Sequence, residues 1–343
     1  MMDRPKVWVS RPTFPDVIAR LDEHFEVTSE PEEVTFTPTQ LAAKMADQDA
    51  VIVGLKERIG AAAIADAKRL RIVANLSVGY DNLDLAALTA AGIAASNTAD
   101  VLNESVADYT WALLLGAARR VGAAERWLRA GEWKATKFTQ WLGMDVRGRT
   151  LGILGMGRIG QAVARRAAGF GMPVIYHNRS ALPEAVEREC NARYVDKPSL
   201  LREADFLVLV VPLTAESLHA IGAAELALMK PTAVLVNVAR GGIVDDVALA
   251  AALANGGIAA AALDVFEGEP NVHPALLALG NVLLSPHIAS ASHDARRAMT
   301  ALAVDNVMAF FGHGPHAGHP PTILNPTVLA TVAPPNPELK NTR

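Results

Sequence analysis

This sequence predicts an α/β protein built on parallel sheets, from three observations. Short apolar runs alternate with Ala- and Leu-rich helical stretches, first before residue 100 and again between residues 149 and 288. A glycine-rich turn, Gly155-Met156-Gly157-Arg158-Ile159-Gly160, separates one such run from one such helix. At 343 residues the chain exceeds what one hydrophobic core usually holds, so two domains are expected.

The elements follow in order. Lys6 to Ser10 reads as a strand and Asp16 to Phe25 as a helix. Asp49 to Leu55 is a buried strand and Gly60 to Leu70 a helix. Arg71 to Val78 is a strand, Asp84 to Ala91 a helix and Gly92 to Asn97 a strand. Parallel strands need crossover helices, so this alternation implies a parallel sheet. Asn103 to Arg129 is a long Ala/Leu-rich helical stretch, an arm between domains or subunits, with Asn103-Glu104 suited to its start. In the second alternation, Arg149 to Leu154 is a strand, Ile159 to Phe170 an amphipathic helix and Met172 to Tyr176 the next strand. Asp205 to Val211, Ala233 to Val238, Ile258 to Asp264 and Asn281 to Ser285 are further strands, and Asp294 to Phe311 is a closing helix. The chain leaves the first domain, builds the second and returns. The Pro-rich tail from Ala333 reads as mobile.

Composition excludes several function classes. Acidic residues (36) outnumber basic ones (32), and the basic ones are scattered, so no nucleic-acid partner is expected. No apolar run reaches the length of a membrane span. The N-terminal M-M-D-R-P-K has no signal-peptide core, and Cys190 is the only cysteine, so no intrachain disulfide forms. A cytoplasmic location is the expectation.

Strand, glycine turn and helix in succession are the setting of a dinucleotide fingerprint. Gly155 permits the tight turn, Gly157 lets the backbone approach a pyrophosphate, and Gly160 lets helix and strand pack closely. The amides of Met156, Arg158 and Ile159 lie within the same turn, and the helix dipole adds positive potential. Specificity for the adenosine ribose is read at the end of the next strand, His177-Asn178-Arg179-Ser180. No Asp or Glu occurs from Gly171 through Pro183, so the carboxylate that would bind the ribose hydroxyls of NAD is missing. Arg179, with Asn178 and Ser180, suits a 2′-phosphate, so NADP(H) is preferred and NAD(H) is the second cofactor.

Behind the fingerprint stand Arg240 in V-N-V-A-R-G-G, Glu269 in L-D-V-F-E-G-E-P and His287 in L-L-S-P-H-I. Hydride addition to a 2-keto acid needs a cation for the carboxylate, a proton donor for the carbonyl oxygen, and a group that keeps the donor protonated. Arginine, histidine and glutamate meet these needs. His313, His316 and His319 form H-x-x-H-x-x-H among glycines and prolines, which give no scaffold to aim three rings at one ion, so no metal site is expected.

Together these motifs resemble the D-2-hydroxyacid dehydrogenase family from about Val51 to Pro326. Leu76-Ser77-Val78-Gly79-Tyr80-Asp81-Asn82 looks like its substrate-carboxylate loop. Gly131-Glu132-Trp133, Asp145-Val146 and Leu324-Asn325-Pro326 look like its bacterial glyoxylate/hydroxypyruvate reductase and 2-ketogluconate reductase branch. The resemblance implies two doubly wound, flavodoxin-like/Rossmann-like domains around a cleft. Residues 1–102 and 290–328 would bind substrate, 103–289 would bind the dinucleotide and carry a dimerisation arm, and 329–343 would be a mobile tail. It further implies a homodimer and a small 2-keto acid substrate reduced to the D-2-hydroxy acid. Arg240 then clamps the carboxylate, His287 is the general acid and Glu269 its partner, in preference to the neighbouring Glu267. Val78 and Gly79 offer backbone N–H groups to the carboxylate, Asp264 binds the nicotinamide carboxamide, and Pro212 lines the cofactor. Trp141 either reaches the partner subunit's substrate pocket or packs at the dimer interface. Same-fold alternatives are a dehydrogenase for phosphoglycerate, D-lactate or phosphite. An alternative from another class is a dinucleotide-sensing, co-repressor-like binding protein.

Overall fold

The computed structural model describes residues 4–330, so the tail from Ala333 lies outside the described residues. Contacts divide the chain into two compact units, residues 1–102 with 292–343, and residues 103–291.

The first unit is built on strands β1 (Lys6–Val9), β2 (Glu26–Ser29), β3 (Ala50–Val53), β4 (Ile72–Asn75) and β5 (Ala94–Ser96). They form one parallel sheet in the order β2-β1-β3-β4-β5. The central strands β1, β3 and β4 are mostly apolar because both their faces are covered, and their period of two divides them between two cores. Val7, Val9, Ile52, Ile72 and Ala74 face Leu21 and the helix His293–Phe310 through Ala303, Val304 and Val307. Trp8, Val51, Val53 and Val73 face the other way, onto Leu41, Met45 and Ile64. Asn325 closes the β5 edge, accepting from Ala95 N at 2.8 Å and donating to Ile93 O at 2.9 Å. A covered edge no longer offers a free row of backbone groups to another strand.

The second unit contains β6 (Leu151–Leu154), β7 (Val174–His177), β8 (Ala192–Tyr194), β9 (Phe206–Leu209), β10 (Val234–Asn237), β11 (Ala260–Leu263) and β12 (Val282–Leu284). All pair in parallel, in the order β12-β11-β10-β9-β6-β7-β8. Chain order reverses between β6 and β9, and such a switch point leaves a crevice outside the strands' carboxyl ends. The helix Asn103–Ala118 packs on the helix Arg158–Ala167. Trp111 anchors that contact, stacking on Phe170 at 4.4 Å and donating its indole N–H to Val163 O at 3.1 Å.

The structure departs from the periodicity reading at several points. The helices read over residues 16–25 and 60–70 are short, Pro15–Ile18 with a tight turn to Leu21, and Ala61–Ile64. The stretch from Asn103 to Arg129 is two helices, Asn103–Ala118 and Val121–Arg129. The returning segment stops the first, with Met144 N donating to Ala118 O at 2.8 Å and Arg120 turning left-handed at φ 56°. Strands β2 and β8 are sheet edges whose short, polar sequences carry no apolar run. The helix Pro38–Met45 is set by a capping box in which Thr37 and Gln40 satisfy each other's backbone N–H groups. No helix among the described residues is long and apolar enough to cross a membrane.

Candidate active site

The glycine turn follows β6 at the switch point of the seven-stranded sheet. Gly155 has φ 101°, and a Cβ there would lie 2.8 Å from the Val210 carbonyl carbon on the segment after β9. At Gly160 a Cβ would lie 2.4 Å from Gly155 O, so only glycine lets the helix start this close to the strand. In front of Gly157 a Cβ would meet nothing within 4 Å. Gly157 caps the ten-residue helix Arg158–Ala167 without a side-chain hydrogen bond. A tight turn, open space and a helix N-terminus without a side-chain cap fit a dinucleotide's pyrophosphate.

Beyond the turn, Asn178 plays a part that its sequence position did not disclose. Its Oδ1 accepts from Met156 N at 2.7 Å and so braces the fingerprint, leaving Nδ2 as its donor end. Arg179 and Ser180 are exposed at the same strand end. Arg179 has no hydrogen-bond partner among the described residues, and its positive charge helps hold the Glu216 carboxyl below its ordinary range, behind Thr214 and the Glu216 backbone N–H. Pro212 follows β9, its carbonyl accepting from Ser217 Oγ at 2.7 Å.

Strands β10, β11 and β12 are adjacent and parallel, so their carboxyl ends share one edge. Arg240 follows β10, Asp264 directly follows β11, Glu269 lies in the next loop and His287 follows β12. His287 Nδ1 lies 2.8 Å from Glu269 Oε2, while Glu269 Oε1 accepts from Phe266 N at 3.0 Å. Burial pushes the Glu269 carboxyl up, but the hydrogen bond and charge of His287, the Phe266 amide and the charge of Arg240 outweigh it and hold it below the ordinary carboxylate range. Arg240 is half-buried and tethered, its Nη1 donating to Ala239 O at 2.7 Å. Glu267 pairs instead with His219, Oε2 to Nε2 at 3.1 Å.

His287 is held by its backbone as well as its ring. Its φ is 56°, a left-handed conformation that costs a non-glycine residue about 1–2 kcal/mol. Asp264, fully buried, offsets that cost. One of its oxygens accepts from Ser285 Oγ at 2.6 Å and Ile288 N at 2.9 Å, and the other from Ala289 N at 2.7 Å. Asp264 O accepts from His287 N at 2.8 Å. The serine two residues before His287 and the tight S-P-H-I spacing were the sequence signals of this clamp. The carboxylate's second oxygen retains acceptor capacity for a carboxamide.

Trp141 has φ 60°, packs edge-on to Trp127 at 5.6 Å and lies under the Arg120 guanidinium at 5.0 Å. Its buried indole N–H has no hydrogen-bond partner among the described residues. Val78 and Gly79 belong to the first unit, in the loop after β4. His313 stacks its ring on His24 at 3.9 Å.

Residues 111–289 match the model of the D-isomer specific 2-hydroxyacid dehydrogenase NAD binding domain. The chain is 48% identical over 336 residues to a glyoxylate reductase of Thermococcus gammatolerans, covering 96% of this chain and 99% of the relative. Among solved structures, it is similar to an NADPH-dependent glyoxylate/hydroxypyruvate reductase from Sinorhizobium meliloti in complex with NADP and malonate. The TM-score is 0.82 at 39% identity, covering 94% of this chain and 97% of that one. A glyoxylate reductase from Paecilomyes thermophila gives a TM-score of 0.83 at 34% identity, with 95% and 100% covered.

The Asp264 clamp makes a specific prediction. Asp264→Ala leaves Ser285, Ile288 and Ala289 without their acceptor, and charge-assisted hydrogen bonds contribute about 1.5–3 kcal/mol each. Urea unfolding is expected to show a loss of about 3 kcal/mol or more, with reductase turnover falling alongside. A variant with unchanged stability and turnover would contradict the clamp.

Proposed function

The chain belongs to the D-isomer specific 2-hydroxyacid dehydrogenase family, and we propose that it reduces glyoxylate, hydroxypyruvate or a related small 2-keto acid to the D-2-hydroxy acid with NADPH. The observation that carries this reading is the 2.8 Å contact between His287 Nδ1 and Glu269 Oε2 on the strand edge that also bears Arg240.

Arg240 takes the substrate carboxylate through its planar fork, which fixes orientation as a lysine could not. In the first unit, the Val78 and Gly79 amides are carboxylate donors. The glycine turn would hold the dinucleotide's pyrophosphate, with Pro212 and Asp264 toward its nicotinamide, and the bound reduced cofactor would supply the hydride for the keto carbon. His287, protonated on both nitrogens, gives its Nε2 proton to the oxygen as negative charge develops there. It keeps its Nδ1 proton directed at Glu269, which stabilises the imidazolium until the transfer. Glu269 stays ionised well into the acid range, because its carboxyl titrates below the ordinary value and the pair is lost only as pH falls through that lowered value.

Preference for NADPH rests on the strand end after β7. Arg179 and Ser180 are exposed there, Asn178 has donor capacity left, and no carboxylate occurs from Gly171 through Pro183. The first unit's role as the substrate domain follows from Val78 and Gly79. A homodimer formed through residues 121–142 is supported by their exposed apolar side chains, Val121, Leu128, Trp133, Phe138 and Leu142. Trp141 lies in this segment and belongs to the same interface. Light scattering at the mass of a single chain would exclude the dimer.

His287→Ala is expected to lower kcat by about 10²- to 10⁴-fold, the usual contribution of a positioned proton donor. Arg240→Ala is expected to raise KM for the keto acid as well as lowering kcat. Wild-type kcat in His287→Ala, measured as NADPH oxidation with glyoxylate, would sink the assignment. In Glu269→Gln the negative charge beside the imidazolium is lost. The protonated ring is then less favoured, so the alkaline limb of kcat/KM moves to lower pH. An unmoved limb would mean that the two residues are not coupled. For the cofactor, Arg179→Ala is expected to weaken NADPH about 10- to 100-fold, on the scale of a charge-assisted hydrogen bond, and to leave NADH nearly unchanged. Equal loss for both cofactors would refute the 2′-phosphate reading.

A further inference from the structure

A backbone amide is aimed only as well as its peptide plane is held. In a planar trans peptide the N–H points away from the carbonyl of the preceding residue, so anchoring that carbonyl aims the N–H. The Val78 N–H shares its plane with the Ser77 carbonyl, which accepts from Thr98 N at 2.9 Å. The Gly79 N–H shares its plane with the Val78 carbonyl, which accepts from Asn97 Nδ2 at 2.8 Å. The Gly79 carbonyl in turn accepts from Asn75 Nδ2 at 2.9 Å. Three successive peptide planes are therefore held from one side, by groups on β4 or just after β5. Asn75 and Thr98 are fully buried and Asn97 is 6% exposed, so these anchors are shielded from competing water. Among the described residues, neither the Val78 nor the Gly79 N–H donates a hydrogen bond.

Asn75 is itself fixed. Its side-chain amide pairs reciprocally with that of Asn82 at 3.2 Å in both directions, and Asn82 Nδ2 also donates to the carbonyls of Gly54 and Glu57 at 3.0 Å. Two buried asparagines spent on two consecutive loop carbonyls form a costly arrangement for a loop that merely turns. Each buried amide must find all its partners or lose stability. The arrangement leaves two adjacent N–H groups without a protein partner, which suits an anion with two oxygens.

We infer that Asn97, seconded by Asn75, is a positioning residue for the substrate carboxylate. It holds the Val78–Gly79 peptide so that the Gly79 N–H meets a carboxylate oxygen without reorganising. The inference rests on the proposed role of Val78 and Gly79 as carboxylate donors. It adds a specificity element that the sequence alone does not disclose. Substrates are then selected for their carboxylate by a rigid pair of amides.

The test uses oxamate, an unreactive 2-keto acid analogue, on the NADPH-loaded full chain. In wild type labelled with ¹⁵N-valine and ¹⁵N-glycine, the Val78 and Gly79 amide resonances are expected to move on oxamate addition. Resonances that stay put would overturn the carboxylate-donor role itself. With that role standing, Asn97→Ala is expected to raise the oxamate Ki and the keto-acid KM about tenfold, the loss of one buried hydrogen bond's worth of orientation. Its kcat and NADPH affinity are expected to stay close to wild type. Asn97→Asp keeps the side-chain shape and replaces the donor by an acceptor, and it gives the same reading should the alanine variant not fold. Asn325→Ala is the comparison for general loosening, since it removes hydrogen bonds of similar burial at the β5 edge without touching Ser77, Val78 or Gly79. It is expected to lower the melting temperature and leave KM unchanged. Unchanged KM and Ki in both Asn97 variants would overturn the inference, as would an equal rise in KM for Asn325→Ala.

Discussion

Asp264 directly follows β11 and is fully buried, and its carboxylate gathers the turn that follows β12. Ser285, Ile288 and Ala289 all donate to it, and the backbone of His287 closes on its carbonyl. A carboxylate this deep is tolerated only when it is hydrogen-bonded, and the turn supplies its donors. The turn does so by wrapping around it, and the wrapping forces His287 into a left-handed conformation at φ 56°. The histidine's position is thus set by the solvation of a different residue. Glu269 then has only to fix the ring, which it does from Oε2 while Phe266 N secures Oε1.

The parallel sheet explains why so few residues suffice. In a parallel sheet every strand ends at the same edge, so residues placed just after successive strands become neighbours without long loops. Arg240, Asp264 and His287 use β10, β11 and β12 in this way, and the glycine turn and Pro212 use β6 and β9 at the switch point. The five-stranded sheet does the same on its own terms. Its β4 and β5 ends hold the loop of Val78 and Gly79 between Asn75 and Asn97.

Legibility in the sequence followed the range of the interaction. The glycine turn was readable because its meaning is local, a strand before it and a helix after it within a few residues. Arg240, Glu269 and His287 were readable because three chemically suited side chains stood in order behind that turn. Asn75 and Asn97 were not, because a polar residue at or just after a strand end looks the same whether it faces solvent or anchors a peptide 4 or 19 residues away. Asn178 was read from the sequence as a small polar partner of Arg179, and its part as the acceptor for Met156 N was not visible there. The break at Arg120 was hidden because only Val121 and Gly122 interrupt a run otherwise rich in Ala, Arg and Leu, and the helix is ended by the distant segment at Met144. Edge strands β2 and β8 escaped because half-exposed strands carry no apolar run.

In the proposed reaction His287 keeps one proton on Nδ1 for Glu269 and passes the other from Nε2. Histidine ¹⁵N NMR across a pH titration tests it directly. On deprotonation, the His287 ring is expected to become the Nδ1–H tautomer, with Nε2 taking the shift of a bare ring nitrogen and Nδ1 that of a protonated one. A neutral ring carrying its proton on Nε2 would contradict this assignment, because Nδ1 would then face the Glu269 carboxylate with no hydrogen to give it.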